Sequence, residues 1–445
     1  MIRQGMGLSR SSGLPGFGPL RAYWVVVLLP AIVLWPFSGL TIWHLLFFVA
    51  LSVGLYTSYS RQILPLIVYF SMMLLYWVVV PVLQDRIGVG YYTWRGDIPG
   101  FGLDAAAFVM THLLGIGAGF QFGRISMSRG PIRDTRFSGA GVAFVLLLFL
   151  LLMALVGFKS IILPRVEQSA GDAENYLVFL RNTAKLLPAL LLAYVVLEAD
   201  KGLRKNTRIA VFVLLAACLL IVSNPVNTSR FLSLFGLFVV ALVYSVRFSK
   251  LTILAWALAI APVYAIFALG ITSAMRSGLD RVGLAKSFQS LQSLEFSSYS
   301  IFLDALRLES FPQGNYLISH LFIIVPRSLW PGKADSIGIH TAERSGYVYH
   351  NVGLNSFFNS YADYGLLGLF LFSMLFGILA KNLNPVCAHA SFRNRHFMYG
   401  VLFTGMTPMF FRGDLSTAVL ALYPAILVYE TVRLATRFRL TSGTR

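Results

Sequence analysis

Runs such as FVLLLFLLLMALVGF (Phe144 to Phe158) and LLGLFLFSMLFGILA (Leu366 to Ala380) constrain this chain more than any other feature. An apolar stretch near ~20 residues suits the ~30 Å hydrocarbon core of a bilayer, where a helix satisfies each backbone N–H and C=O internally. Composition points the same way. Only 12% of the 445 residues are charged and 57% are hydrophobic, whereas a soluble domain carries roughly 25% charged residues. Mean hydropathy is +0.72. The expected fold class is all-α: a polytopic integral membrane helix bundle.

The apolar pattern predicts about twelve spans, at 22–37, 40–57, 63–83, 105–123, 139–158, 176–197, 209–223, 231–246, 251–271, 357–380, 397–411 and 415–434. A formal charge of +18 invites a nucleic-acid reading, but the placement of the charges argues against one. With the N-terminus placed inside, the inside segments hold 21 Lys and Arg and the short outside loops only 6. That is the positive-inside bias, with both termini cytoplasmic. The basicity reads as topology, and no nucleic-acid partner is expected.

The first ~20 residues are rich in Gly, Ser and Arg and precede a full-length span, a layout unlike that of a cleavable signal. Cys218 falls in a span and Cys387 in an inside loop, so no disulfide between them is expected. Internal repeats are not evident. The chain reads as one integral domain, 1–445, interrupted by a large outside loop at 272–356. Loops of that length usually act as lids or binding segments. Within it, FQSLQSLEFSSYSIFLDAL puts Phe288, Leu291, Leu294, Phe302 and Leu306 near helical spacing, as in an amphipathic helix packed on the bundle or lying in the interface.

The informative charges lie at or beyond the outer span ends, where the positive-inside rule does not call for them. Arg181 and Lys185 lie one turn apart at the start of the sixth span. Arg230 closes NPVNTSR, Arg276 follows the ninth span, Arg327 lies in VPRSLWPGK, and Arg412 occupies the turn FRGD beside Asp414. Ionisable groups near membrane depth usually line a cavity or pathway. The planar guanidinium fork suits a pyrophosphate in partly apolar surroundings. Each residue also has a plainer reading, as a side chain snorkelling to headgroups, capping a carbonyl or, for Arg412 and Asp414, pairing locally. His320, His340 and His350 are outside, with Asp335, Glu343 and Asp363. Asp172 and Glu174 form an Asp-x-Glu, better read as a short acidic loop than as a metal site. No metal and no cofactor are expected.

VPRSLWPGK, followed by HNVGLNSFFNSYADYGLLGLFLFSMLFG (His350 to Gly377), resembles the Wzy-type oligosaccharide repeat-unit polymerases, the O-antigen polymerase group. There a Pro-Arg…Trp-Pro-x-Lys segment in a large outer loop precedes a Tyr-Ala-x-(Phe/Tyr)-Gly-x-x-Gly start to the next span. NTSRFLSL and the FRGD turn are similar too, and the likeness covers roughly 220–415. Here Gly-Lys-Ala follows Trp-Pro in place of Lys-Pro, and Asp-Tyr-Gly replaces Asn-Phe-Gly.

The resemblance implies a bacterial inner-membrane enzyme with a membrane glycosyltransferase (GT-C-like) fold. It would transfer a glycan from one undecaprenyl-pyrophosphate carrier to another lipid-linked unit on the periplasmic side, among membrane lipids and with a chain-length regulator protein as a further partner. Arg230, Arg276, Arg327 and Arg412, with Arg181 and Lys185, would stabilise the leaving diphosphate. The acceptor hydroxyl needs a base; His350 is favoured because it directly precedes the segment that re-enters the membrane, with Asp363 and Asp414 behind it. Trp330 would stack sugars, or serve as an interfacial anchor. An O-antigen ligase shares the donor chemistry. A transporter or flippase is the rival from another class, and usually shows internal repeats.

Overall fold

The computed structural model describes residues 42–87, 102–124, 137–157, 175–201, 203–223, 230–248, 298–308, 311, 314–347 and 352–436. Among these, every regular element is helical. The long helices are α1 (Ile42–Ser60), α2 (Leu64–Leu74) continuing through a π-turn into α3 (Val80–Ile87), α4 (Leu103–Phe122), α5 (Gly139–Val156), α6 (Asn175–Glu198), α7 (Lys205–Val222) and α8 (Arg230–Arg247). Three short helices follow: α9 (Ser298–Leu306), α10 (Tyr316–Leu321) and α11 (Ile337–Arg344). The chain then runs through α12 (Phe358–Asn382), α13 (Arg395–Arg412) and α14 (Leu415–Ala435). Among the described residues, 7 helices are long and apolar enough to cross a membrane, and His44–Ser60 and Leu232–Arg247 are shorter apolar helices. The predicted spans 22–37 and 251–271 lie outside the described residues.

Burial sorts these helices into layers. The Leu64–Asp85 window is 94% buried and Leu177–Glu198 83%, so α2–α3 and α6 form the centre. Lys205–Val222 is only 17% buried. Exposed Phe144, Leu147, Leu151 and Leu155 give α5 an outward apolar face, a surface that water does not favour at this extent. The π-turn Leu75–Val79 precedes Pro81. Proline lacks an N–H and its ring crowds the carbonyl four residues back, and a widened turn accommodates both defects. It also places Trp77 in the core, stacked on Phe302 of α9 with ring centroids 4.3 Å apart.

Helices α4 and α12 make the closest approach. A Cβ on Gly119 would lie 1.9 Å from the Met374 carbonyl oxygen, one on Gly115 2.6 Å from that of Phe370, and one on Gly377 2.4 Å from that of Ile116. Small residues four apart let backbones touch where lipid offers no hydrophobic drive. The same interface buries His112, which shares hydrogen bonds with Tyr69 Oη (2.8 Å) and Ser373 Oγ (2.7 Å). Both ring nitrogens are thereby satisfied inside the bundle.

One expectation needs revision and another is decided. The predicted span 357–380 is not one straight helix: α12 breaks at Gly365 (φ 62°, ψ −152°), a backbone region open essentially to glycine alone. The proposed amphipathic helix is described from Ser298 onward and is buried on every side, Ser298, Ser300 and Asp304 included. It packs within the bundle, the first of the two alternatives, and Tyr347 Oη donates to its Asp304.

The helix ends fall into two groups. At one end Leu64 N and the Gln62 carbonyl bond to the Asn384 amide, Arg124 N to Asn382, Lys381 Nζ to the Phe120 carbonyl, and Ser391 Oγ to Glu198. This end carries Arg61, Arg124, Lys205, Arg208, Lys381, Arg393, Arg395 and Arg433, and is the basic end. At the other, the loop end, residues 314–347 and 352–363 meet the α13–α14 turn.

Candidate functional site

The loop end is built around α10. Gly314 (φ 58°) and Asn315 (φ 57°) turn the chain into it. Its first amides are satisfied from a distance: Tyr316 N donates to Asp363 Oδ1 (2.9 Å) and Leu317 N to Oδ2 (2.8 Å). A carboxylate at a helix N-terminus also opposes the positive end of the dipole. Asp363 lies in the first segment of α12, before the break. Gly368 permits that break, since a Cβ there would lie 2.3 Å from the Ser360 carbonyl oxygen. The glycines of Tyr-Ala-Asp-Tyr-Gly-x-x-Gly thus set the angle at which Asp363 reaches α10.

His320, on α10, is 1% exposed. The Asn359 amide faces its Nδ1 at 2.7 Å, so Nδ1 accepts and the proton sits on Nε2. Burial, reinforced by Lys333, lowers its pKa to about 4. It is therefore neutral near pH 7.

The VPRSLWPGK segment wraps over this helix. Trp330 N donates to the Pro326 carbonyl (3.1 Å) and Lys333 N to that of Trp330 (3.2 Å), closing consecutive turns. Lys333 is 3% exposed and its Nζ donates to the carbonyls of Val325 (2.6 Å) and Ile323 (3.1 Å). Burial, with Arg327 nearby, pushes its pKa below the usual lysine value. Ala334 N donates to Ser319 Oγ, tying the segment to α10. Arg327 projects outward, paired with Asp335, both side chains well exposed. Trp330 is half-buried.

The α13–α14 turn joins the same assembly. Ser356 N donates to the Phe410 carbonyl (2.9 Å) and Ser356 Oγ to that of Gly413 (2.7 Å). Buried Asp414 accepts from Leu354 N (3.2 Å). Arg412 ends α13 and Arg230 begins α8; the side chains of these two arginines lie outside the description. Gly405 of α13 packs against Phe235 and Val239 of α8, an antiparallel contact that brings both arginine backbones to the loop end. Gly236 faces Ala189 of α6, and one turn nearer that end stands Lys185, 2% exposed, with half-buried Arg181 a turn beyond. Asn182, between them, donates to the Leu420 carbonyl of α14.

Asp363, Asp414, Arg327, Trp330, Lys185, Arg181 and the backbones of Arg230 and Arg412 therefore share one end of the bundle. Arg276, His350, Asp172 and Glu174 lie outside the described residues. Among the described residues no group of three or more His, Cys, Asp and Glu could hold a metal ion. Lys333 and Asn359 were not singled out from sequence. The signal for Lys333 was its place in the motif, but its partners are carbonyls, which leave no trace in side-chain chemistry. Compared with protein-family models, curated proteins and solved structures, the chain matches none.

Proposed function

We propose that this protein is a membrane glycosyltransferase with a GT-C-like bundle that polymerises undecaprenyl-pyrophosphate-linked repeat units at the periplasmic face of a bacterial inner membrane, both termini cytoplasmic. One observation carries the reading. The two motif segments, VPRSLWPGK and YADYGLLG, lie far apart in sequence yet are pinned together through α10 at the end opposite the basic rim. Pyrophosphate departure there calls for fixed cations, and Arg181, Lys185, Arg230, Arg327 and Arg412 belong to that end. Asp363 and Asp414 accept backbone N–H bonds; in this reading they hold the site together, and proton transfer falls to His350.

The test is reconstitution of the purified protein with lipid-linked repeat units and excess chelator. A ladder of glycan lengths is the expected product. Loss of the ladder in chelator, restored by magnesium or manganese, would overturn the arginine-based mechanism. In cells lacking the gene, single repeat units on the surface support the polymerase. Intact polymer stranded on the carrier would instead mean a ligase, and cytoplasmic build-up a transporter.

A further inference from the structure

A second feature lies on the apolar side of the bundle, between α12, α13 and α14. Helices α12 and α14 lean apart over α13, leaving an apolar groove of about 380 Å³. Leu375, Phe403, Met406, Val419 and Tyr423 are among its walls, and Leu375 at its lip is 49% exposed. At its far end the groove reaches Leu321 of α10, whose carbonyl accepts from Tyr423 Oη. Along α13 it runs from Tyr399 to Phe410, roughly 16 Å at 1.5 Å per residue. That is about half the ~30 Å hydrocarbon thickness, the depth of one leaflet.

The opposite end opens onto charge. Tyr399, in the groove wall, donates from Oη to Glu430 Oε1 (2.7 Å). Arg395 grips the same carboxylate with Nε (2.9 Å) and a terminal nitrogen (3.0 Å), and Arg433 adds Nε at 2.8 Å. Two guanidiniums against one carboxylate leave a net positive charge at the mouth. The Arg395 side chain remains 58% exposed.

We infer that this groove holds one acyl chain of an anionic phospholipid from the leaflet at the basic end, with its phosphate at Arg395. Length fits a single-leaflet chain, and charge fits the headgroup. The inference requires only that the bundle sit in a membrane and is independent of the polymerase reading.

Native mass spectrometry of the full-length protein in mild detergent, with equal phosphatidylglycerol and phosphatidylcholine added, tests it. One phosphatidylglycerol should be retained in preference. Arg395→Gln should reduce that preference about tenfold, the effect of losing one charge-assisted contact. Leu375→Trp, at an exposed lip where the fold tolerates bulk, should displace the lipid while Arg395 stays intact. Equal retention of the two lipids, or undiminished binding in Leu375→Trp, would overturn the proposal. So would a photoreactive group at Leu379 that captures a polyprenyl lipid, a segment of the same chain or a second copy instead of phospholipid.

Discussion

Lys333 and Arg327 occupy one loop with opposite orientations. Lys333 turns inward and holds two half-buried carbonyls, so its removal would cost about 0.5–1.5 kcal/mol for each bond lost. Arg327 turns outward to Asp335, and an exposed ion pair of that kind contributes about 0–1 kcal/mol. If pairing were its only use, Arg327→Ala and Asp335→Ala would behave alike. We expect them to differ: Arg327→Ala should lower polymer yield by about tenfold or more, the scale of a lost charge-assisted contact, with poor rescue by Lys, and Asp335→Ala should leave it near normal. Equal yields from the two variants at equal protein levels would reduce Arg327 to a structural residue. His320 supplies a pH prediction. Its folded pKa of about 4 lies below its ordinary 6.5, so between those values the unfolded segment binds more protons than the folded one. Stability is therefore full above 6.5 and declines as pH falls toward 4. Amide exchange in α10, corrected for intrinsic rate, should lose protection across that window. The loss should vanish in His320→Asn; an unchanged profile there would place the titration elsewhere.

The α4–α12 contact holds the long segment of α12 that follows the Gly365 break. A Cβ on Gly119 would meet the Met374 carbonyl, while one on Gly117, two residues along the same helix, would meet nothing within 4 Å. Gly119→Ala should destabilise the bundle by about 1–3 kcal/mol, the usual cost of overpacking. Gly117→Ala should be neutral or slightly stabilising through helix propensity. Thermal unfolding in detergent separates them, and equal midpoints would show that the helices can shift apart freely. This element scale is also where sequence reading did best and then stopped. Helices lie at each predicted span within the described residues because hydropathy alone marks a bilayer-length segment. The break at Gly365 was not legible, since glycines are common in such helices and only its φ distinguishes this one. The packing of α9 on the bundle was one of the two readings its apolar spacing allowed; the bond from Tyr347 to Asp304 that accompanies its burial leaves no local signal. At the candidate site, the Asp363 cap on α10 spans 46 and 47 residues and no local spacing records it.

At the scale of the molecule, the governing feature is that the two ends differ. The basic end gathers arginines and lysines from many helix termini, all but Arg433 of them exposed or half-buried; the loop end holds the polar contacts of α10, Asp363 and Asp414. Lys and Arg beside spans tend to be retained on the cytoplasmic side, so we propose an orientation with the loop end outside. The prediction uses two exposed serines at opposite ends, Ser60 and Ser328. In a chain whose Cys218 and Cys387 are replaced by serine, Ser328→Cys should react with a membrane-impermeant thiol reagent in cells whose outer membrane has been made permeable. Ser60→Cys should react only after the inner membrane is broken. The proposed chemistry depends on this outcome, because donor and acceptor would both be presented on carriers at the outer face. Labelling of Ser60→Cys alone in such cells would turn the Arg327 loop toward the cytoplasm. That result would remove periplasmic polymerisation and ligation together, and the loop end would then have to serve a substrate delivered from inside.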